Sequence, residues 1–305
     1  MQQITLGKSM LRAPRIGLGC MRMAQLEVHE AVEVLEQALE LGINFFDHAD
    51  IYGDGESERI FGAAMKRMNI PRESILVQSK CGICQGYYDF SKEHIVASVD
   101  ETLHRLQMDY LDVLVLHRPD VLMDPEEVAD AFEELLRTGK VRYFGVSNFN
   151  SLQIELLQRA CYMPLIINQV QFSLAHTPLI DAGVNVNTKN DRAVMRDCQL
   201  LDYCRLNEVS IQVWSPFQID LAHGVFFDHE DYKKLNTVIH DLAKKYRVSD
   251  EAIAIAWILR HPAKMQPIVG TMNMVRLRGL VKALDIELSR EDWYKLYCAA
   301  GNKLL

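Results

Sequence analysis

Four side chains, Asp47, Tyr52, Lys80 and His117, have the types and places to put a proton on a carbonyl oxygen. Asp47 closes a short apolar run through Phe45 and Phe46, between Gly42 and Gly53, so it stands at a strand end. Tyr52 follows in the next loop. Free tyrosine titrates near about 10, and an ammonium beside it is expected to favour the phenolate and lower that value. Asp47 is expected to keep Lys80 charged and aimed, because an unpaired buried ammonium tends to lose its proton. His117 can donate to the substrate oxygen or share the tyrosine's proton. Such a set polarises a carbonyl and protonates the forming alkoxide, an effect of about 10²–10⁴-fold in general-acid catalysis. No side chain supplies a hydride, so a carbonyl reduction needs a cofactor. Ser147, Asn148 and Gln169 suit a carboxamide, which has donor and acceptor edges. Trp214 offers a flat face to a nicotinamide ring.

The elements that must carry these residues alternate along the chain. Strands are expected at Arg15 to Cys20, around Phe45 and Phe46, and over Ser74 to Lys80, Leu111 to His117, Val141 to Val146, Leu165 to Val170, Ile211 to Trp214 and Pro267 to Val269. Amphipathic helices separate them. One ends at Gly42, one starts after Ser91, and one opens on Asp124-Pro125-Glu126-Glu127 and stops at Gly139. Further helices are expected at Met195 to Leu206, Asn273 to Ala283 and Glu291 to Ala299. The polar stretch Thr177 to Arg192 reads as a surface excursion of the kind that forms lids. Ile4 to Leu6 and Leu11 to Pro14 flank a turn and form a hairpin. Eight strand–helix units with continuous apolar strands predict an α/β fold, a closed (β/α)8 barrel with a short N-terminal β-hairpin and an extra C-terminal helix. No composition break divides residues 1–305, which read as one domain. In such a barrel the C-terminal strand ends meet on one rim, where Asp47, Lys80, His117, Ser147, Asn148, Gln169 and Trp214 would gather.

Composition excludes other classes. The net charge is −8, which disfavours nucleic acid and anionic membrane surfaces as partners. Seven cysteines at irregular spacing predict reduced thiols. With no charged leader and no long apolar run, a cytoplasmic location is expected. Gly7-Lys8-Ser9 fails as a P-loop because Gln2 stands where its first glycine belongs, and Gly17-x-Gly19 fails as a dinucleotide fingerprint because Arg22 takes the third glycine's place. No nucleophile elbow, paired carboxylates or metal-spaced His/Asp/Glu cluster stands out, so no metal is expected.

At these residues the sequence resembles the aldo/keto reductases, over about Gly17 to Leu280. Asp47, Tyr52, Lys80 and His117 match the family's catalytic tetrad, and Gly145-Val-Ser-Asn148 and Asn168-Gln169 match its nicotinamide-binding motifs. It is similar to bacterial-type members carrying Asp-His-Ala-Asp-Ile-Tyr-Gly. The resemblance implies a metal-free, reversible carbonyl reduction of a small molecule, by a monomer. It implies NADPH as cofactor, with NAD less favoured, bound by Met21, Asp47, Ser147, Asn148, Gln169, Trp214, Ser215, Pro216, Phe217, Gly270, Thr271, Met272 and Arg276. Trp214 stands where the family often has tyrosine. Gly270, Met272 and Leu280 replace a lysine, an arginine or serine, and an asparagine near the cofactor's phosphate and adenine. Arg276 matches a family arginine at that end, and the NADP expectation rests largely on it.

Plainer readings stand beside these. Asp47 and Lys80 could be a structural ion pair, and His48 a support for Asp47. Asn148 could cap the helix that starts near Ser151. Cys81-Gly-Ile-Cys84 could be a redox pair or half a zinc site, although no second pair exists and the motif does not open a helix after the first strand of a thioredoxin-like unit. The rival functions are an NADPH-binding sensor or regulatory subunit with little turnover, and a metal-dependent barrel hydrolase.

Overall fold

In the computed structural model, residues 1–220 and 222–304 are described. β1 (Gln3–Thr5) and β2 (Arg12–Pro14) form the expected antiparallel hairpin. Eight parallel strands then close a barrel: β3 (Gly17–Gly19), β4 (Phe45–Asp47), β5 (Leu76–Cys81), β6 (Leu111–Leu116), β7 (Val141–Ser147), β8 (Leu165–Gln171), β9 (Ser210–Trp214) and, after a small hairpin of β10 (Gln218–Asp220) and β11 (Gly224–Val225), β12 (Gln266–Val269). Closure is set where β12 pairs with β3, Ile268 opposite Gly17, and with β9, Gln266 opposite Gln212. The barrel agrees with the sequence expectation.

The hairpin β1–β2 plugs the bottom. Ile4, Leu6, Leu11 and Ala13 pack on the inward residues Phe45, Val113, Val115, Ile167 and Ile268. Gly7 turns the plug with φ 52°. A Cβ there would strike the Ile166 carbonyl, so glycine is needed at the turn.

A ring of helices covers the strands: α1 (Val28–Glu40), α2 (Glu56–Met68), α3 (Lys92–Leu106), α4 (Pro125–Arg137), α5 (Ser151–Ala160), α6 (Pro178–Val184), α7 (Leu200–Asn207), α8 (Lys233–Tyr246), α9 (Asp250–Arg260), α10 (Met274–Val281) and α11 (Arg290–Ala299). Their buried stripes and the outward strand residues form one core. Caps sit where the sequence put them for α3 and α4: Ser91 accepts from His94 N and Asp124 from Glu126 N and Glu127 N.

Four local expectations are corrected. The stretch 177–192, read as a surface loop, is not loop throughout. It carries α6, whose Asp181 is gripped by Tyr297 and Arg192, so tertiary contacts order a polar segment. The next helix starts at Leu200, not Met195, because Cys198 and Gln199 take left-handed backbone at φ 53° and 60°. α10 ends at Val281 and tightens into a 3-10 turn, Lys282–Asp285. Asn148 does not cap α5: Asn150 does, in a reciprocal box with Gln153.

Candidate active site

The ends of β4 and β5 bring Asp47, Tyr52 and Lys80 together. After Asp47 the chain keeps to β5 for three more residues, His48 N donating to Gln78 O and Asp50 N to Lys80 O. It then turns at Tyr52 and Gly53. Gly53 has φ 59°, and its missing Cβ lets the turn close on Ala24. This delivers the Tyr52 hydroxyl to 3.2 Å from Lys80 Nζ. Lys80 also donates to the Asp47 carboxylate at 2.8 Å and to the His48 carbonyl at 2.8 Å. An ammonium has three donors, and these three partners use them all. Burial draws the Lys80 pKa down, but Asp47 and Tyr52 outweigh it and hold it above the ordinary value. The ammonium stays charged.

Tyr52 corrects an expectation. Burial raises its pKa, and Lys80 only partly opposes that, so the hydroxyl titrates above a free tyrosine rather than below. It holds its proton at neutral pH. His117 stands at the end of β6 with its ring edge-on to Tyr52, centroids 6.1 Å apart. Burial, then Lys80 and Arg118, push its pKa down to about 2. The ring is a neutral hydrogen-bonding group and not a store of acid. His117 Nδ1 is buried with no partner among the described residues. His48 is wholly buried, edge-on to Phe61, with its pKa lowered to about 3 by burial and then Lys80. It fills space behind Asp47.

Below the tetrad lies a hydrogen-bonded group of glutamines, of which sequence reasoning named only Gln169. Gln78 Nε2 donates to Asp47 Oδ1 at 2.6 Å and to Gln212 Oε1 at 2.9 Å. Gln169 Nε2 donates to the same two oxygens at 3.1 and 3.0 Å. Gln212 passes a hydrogen bond to Gln266, which donates to the Pro14 carbonyl in the plug. All four glutamines are buried. A polar residue inside an apolar strand was the available signal at Gln78 and Gln212. Gln169 is therefore only half as free as expected, since both its N–H donors are committed to the barrel interior.

On the opposite side of the rim, Ser147 Oγ donates to the Gln169 carbonyl at 2.8 Å, and Asn148 Nδ2 to Ser147 Oγ at 2.9 Å. Trp214 Nε1 donates to Asn148 Oδ1 at 3.2 Å. Asn148 and Ser215 have φ 60° and 50°, left-handed backbone that non-glycine residues rarely take and that clusters at functional sites. The ends of β7 and β9 thus turn sharply around one spot. A cleft of about 680 Å³ opens there, with Arg118, Asn148, Gln171, His176 and Trp214 in its wall. Tyr52 is not part of that wall; the cleft adjoins the tetrad through Asn148, whose Nδ2 donates to the His117 carbonyl at 3.5 Å. Arg118 lies 5.6 Å from the Trp214 ring, so a cation covers one indole face. The donor and acceptor groups of Ser147 and Asn148, beside a partly exposed indole, fit a planar heteroaromatic amide.

The other expected cofactor residues lie along the β3, β9 and β12 ends. Met21 is exposed, Ser215 half-buried, Pro216 buried, and Phe217 turned into an aromatic cluster with Phe227. Gly270, Thr271 and Met272 lead into α10, which Asn273 caps. Arg276 is exposed and 3.5 Å from Glu251, which shares its charge. Sequence reasoning missed Arg22: its NH1 donates to the Gly270 carbonyl at 2.9 Å, so a guanidinium stands beside the position where a lysine was absent. No motif marked it.

All seven cysteines are unpaired, and Cys81 is buried with its thiol pushed well up by burial and then Asp50. The Cys81–Cys84 pair forms no disulfide. The sequence reading found no ligand cluster, yet folding brings Cys84, Asp89 and His94 within 4.8 Å of one another. Their spacing runs across a turn and into a helix, which hid the grouping. No helix among the described residues is long and apolar enough to cross a membrane.

The aldo/keto reductase family model matches residues 15–297. The chain is 34% identical to "Oxidoreductase YdhF" of Escherichia coli (strain K12), across 98% of this chain and 97% of that one. It is 35% identical to a "6-dehydroglucose reductase" of Agrobacterium fabrum, across 88% and 87%. Among solved structures it is similar to the thermostable aldo-keto reductase Tm1743, crystallised with the inhibitor epalrestat. That match has a TM-score of 0.79 and 27% identity, over 98% of this chain and 100% of the other.

Proposed function

The chain belongs to the aldo/keto reductase family, a family of oxidoreductases, and from that premise we propose that it reduces an aldehyde or ketone to an alcohol with NADPH. The observation that carries the reading is Lys80, whose ammonium touches both the Asp47 carboxylate and the Tyr52 hydroxyl. Tyr52 is the proton donor. Its raised pKa keeps the hydroxyl protonated, and Lys80 beside it offsets the charge left when the proton leaves. Asp47 holds Lys80 in place. Neutral His117 donates a hydrogen bond to the same oxygen and orients the carbonyl. NADPH, when bound, supplies the hydride that no side chain can.

Ser147 and Asn148 would hold the carboxamide, aided by the Gln169 side-chain carbonyl, and Trp214 would flank the ring. Arg22, Thr271, Met272 and Arg276 would face the phosphate end, with Met21, Ser215, Pro216, Phe217 and Gly270 between. Two guanidinium groups at that end favour NADP. NAD is the second candidate, because Glu251 draws on the charge of Arg276. We take residues 1–305 as one catalytic domain, acting as a monomer in a reducing, cytoplasmic setting. A relative named for 6-dehydroglucose reduction makes hydroxylated aldehydes the first substrates to try.

The test is turnover. Purified protein with NADPH and a panel of aldehydes, sugar aldehydes included, should consume reduced nicotinamide. NADPH binding without turnover on any carbonyl would overturn the enzyme reading in favour of a sensor.

A further inference from the structure

The loop between β5 and α3 carries a cluster that carbonyl reduction does not use. Its backbone is a tight hairpin. Ile83 bridges Tyr88, Cys84 N donates to Tyr87 O at 3.0 Å, and Asp89 N to Gly82 O at 3.1 Å. Gly86 makes the bend at φ 88°. The hairpin presents Cys84 and Asp89 toward the first turn of α3, where His94 sits. Ser91 caps that turn by accepting from His94 N at 3.3 Å, and Asp89 Oδ1 accepts from Ser91 N at 2.8 Å. One thiol, one carboxylate and one imidazole therefore come from short, hydrogen-bonded backbone, and their ligand atoms lie within 4.8 Å of one another.

We propose that Cys84, Asp89 and His94 form a binding site for a divalent cation of the zinc type, which clasps the hairpin to the start of α3. Three features of the cluster argue for it. The first is spacing. Tetrahedral zinc with bonds of about 2.3 Å to sulfur and 2.0–2.1 Å to nitrogen separates those ligands by roughly 3.5 Å, and Cys84 Sγ is 3.8 Å from His94 Nε2. That pair needs almost no movement; Asp89 has at most about 1.5 Å to close. The second is donor type. Sulfur with imidazole selects zinc and its soft neighbours over magnesium or calcium, which take oxygen. The third is charge: a thiolate and a carboxylate neutralise a divalent ion, the thiol proton passing to solvent. Ser98 Oγ, 3.3 Å from His94 Nε2, is the competing partner that the ion displaces. Three protein ligands leave a fourth position for water.

Position gives the site a consequence. The hairpin begins directly after Lys80 and Cys81, and Phe90 N is tied to Asp120 on the next rim loop. Occupancy would stiffen this part of the barrel mouth whether or not the reaction proposed above is correct.

The experiment is titration of the metal-stripped, reduced protein with Zn²⁺ alone, followed by calorimetry, beside Cys84→Ala, His94→Ala and, as a control thiol, the exposed Cys198→Ala. The expected result is one ion per chain, with affinity about tenfold or more weaker in Cys84→Ala and His94→Ala and unchanged in Cys198→Ala. Circular dichroism of the stripped variants checks that they fold. Co²⁺ added to the unaltered protein gives a second reading that needs no variant: a thiolate-to-cobalt charge-transfer band with tetrahedral d–d bands. Absence of that band, no stoichiometric Zn²⁺ binding, or binding that survives both substitutions would overturn the proposal.

Discussion

Gln78 Nε2 donates to Asp47 Oδ1 at 2.6 Å, inside the barrel and out of reach of water. The acid that holds Lys80 is thus itself held, from below, by a glutamine one strand away. A carboxylate hydrogen-bonded by Gln78 and Gln169 has little freedom to rotate away from the ammonium. The barrel interior is in this sense part of the site.

Gln78→Leu removes one donor from Asp47 and one from Gln212. A lost hydrogen bond to a charged group costs about 1.5–3 kcal/mol. Thermal unfolding should show a loss of that order, with kcat reduced and the affinity for NADPH unchanged. Unaltered melting and unaltered kcat would mean that the glutamine chain only fills the barrel.

Tyr52→Phe should leave the fold and cofactor binding intact and lower turnover by about 10²–10⁴-fold, the range for loss of a general acid. Steady-state rates against a binding titration separate the two effects. A variant that kept its rate would take the proton donor's role away from Tyr52.

The pH profile of reduction should pass through 6.5 without a break, because His117 titrates down at about 2 and is neutral throughout. The rate should fall only at high pH, as Tyr52 loses its proton above the ordinary tyrosine value of about 10. A break near neutrality that disappears in His117→Gln would contradict a neutral imidazole.

Asp50 should give stability an unusual pH dependence. Burial, then Glu58, raise its pKa from 3.8 to about 7, and its Oδ1 is buried with no partner among the described residues. Between those two values the folded state binds a proton that the unfolded state has released, so Asp50's contribution to stability falls as pH rises from about 4 to about 7. Asp50→Asn should remove that contribution and melt higher than the parent at pH 8. An equal or lower melting temperature there would show that the carboxylate is stabilised by more than the contacts described.

Tryptophan fluorescence should report cofactor binding through Trp214. The other two indoles, Trp257 and Trp293, stack on each other at 4.9 Å in the helical layer. NADPH should quench Trp214, and quenching should be lost in Trp214→Ala. Arg22→Ala and Arg276→Ala should each weaken NADPH by roughly tenfold or more, as for a charge-assisted contact, and leave NADH little changed. Equal weakening of both cofactors would move the two arginines away from the 2′-phosphate.

Much of the barrel was legible because its signals are local. Apolar strands between amphipathic helices, with caps such as Ser91 and Asp124, need only neighbouring residues to be read. The polar strand ends were legible for the same reason. What failed depended on distant partners. Asp181, mid-stretch in a polar segment, becomes ordered only because Tyr297 reaches it from the last helix. Capping by Asn148, the plainer alternative to its reading as a cofactor contact, falls away because the left-handed turn at its own position sends its side chain to Ser147 and Trp214.

By itself the sequence determined that eight strands would end on one rim with Asp47, Lys80, His117, Ser147, Asn148, Gln169 and Trp214 at their tips. Side-chain alternation along a strand and the parallel sense of the units dictate as much. Only the tertiary structure decided what those groups touch. Barrel closure fixes the register between β5, β8, β9 and β12, and that register joins Gln78, Gln169 and Gln212 beneath Asp47. Burial depth, which no local pattern encodes, turned the Tyr52 pKa upward and made His117 neutral. Packing of one hairpin against one helix start set a thiol, a carboxylate and an imidazole side by side.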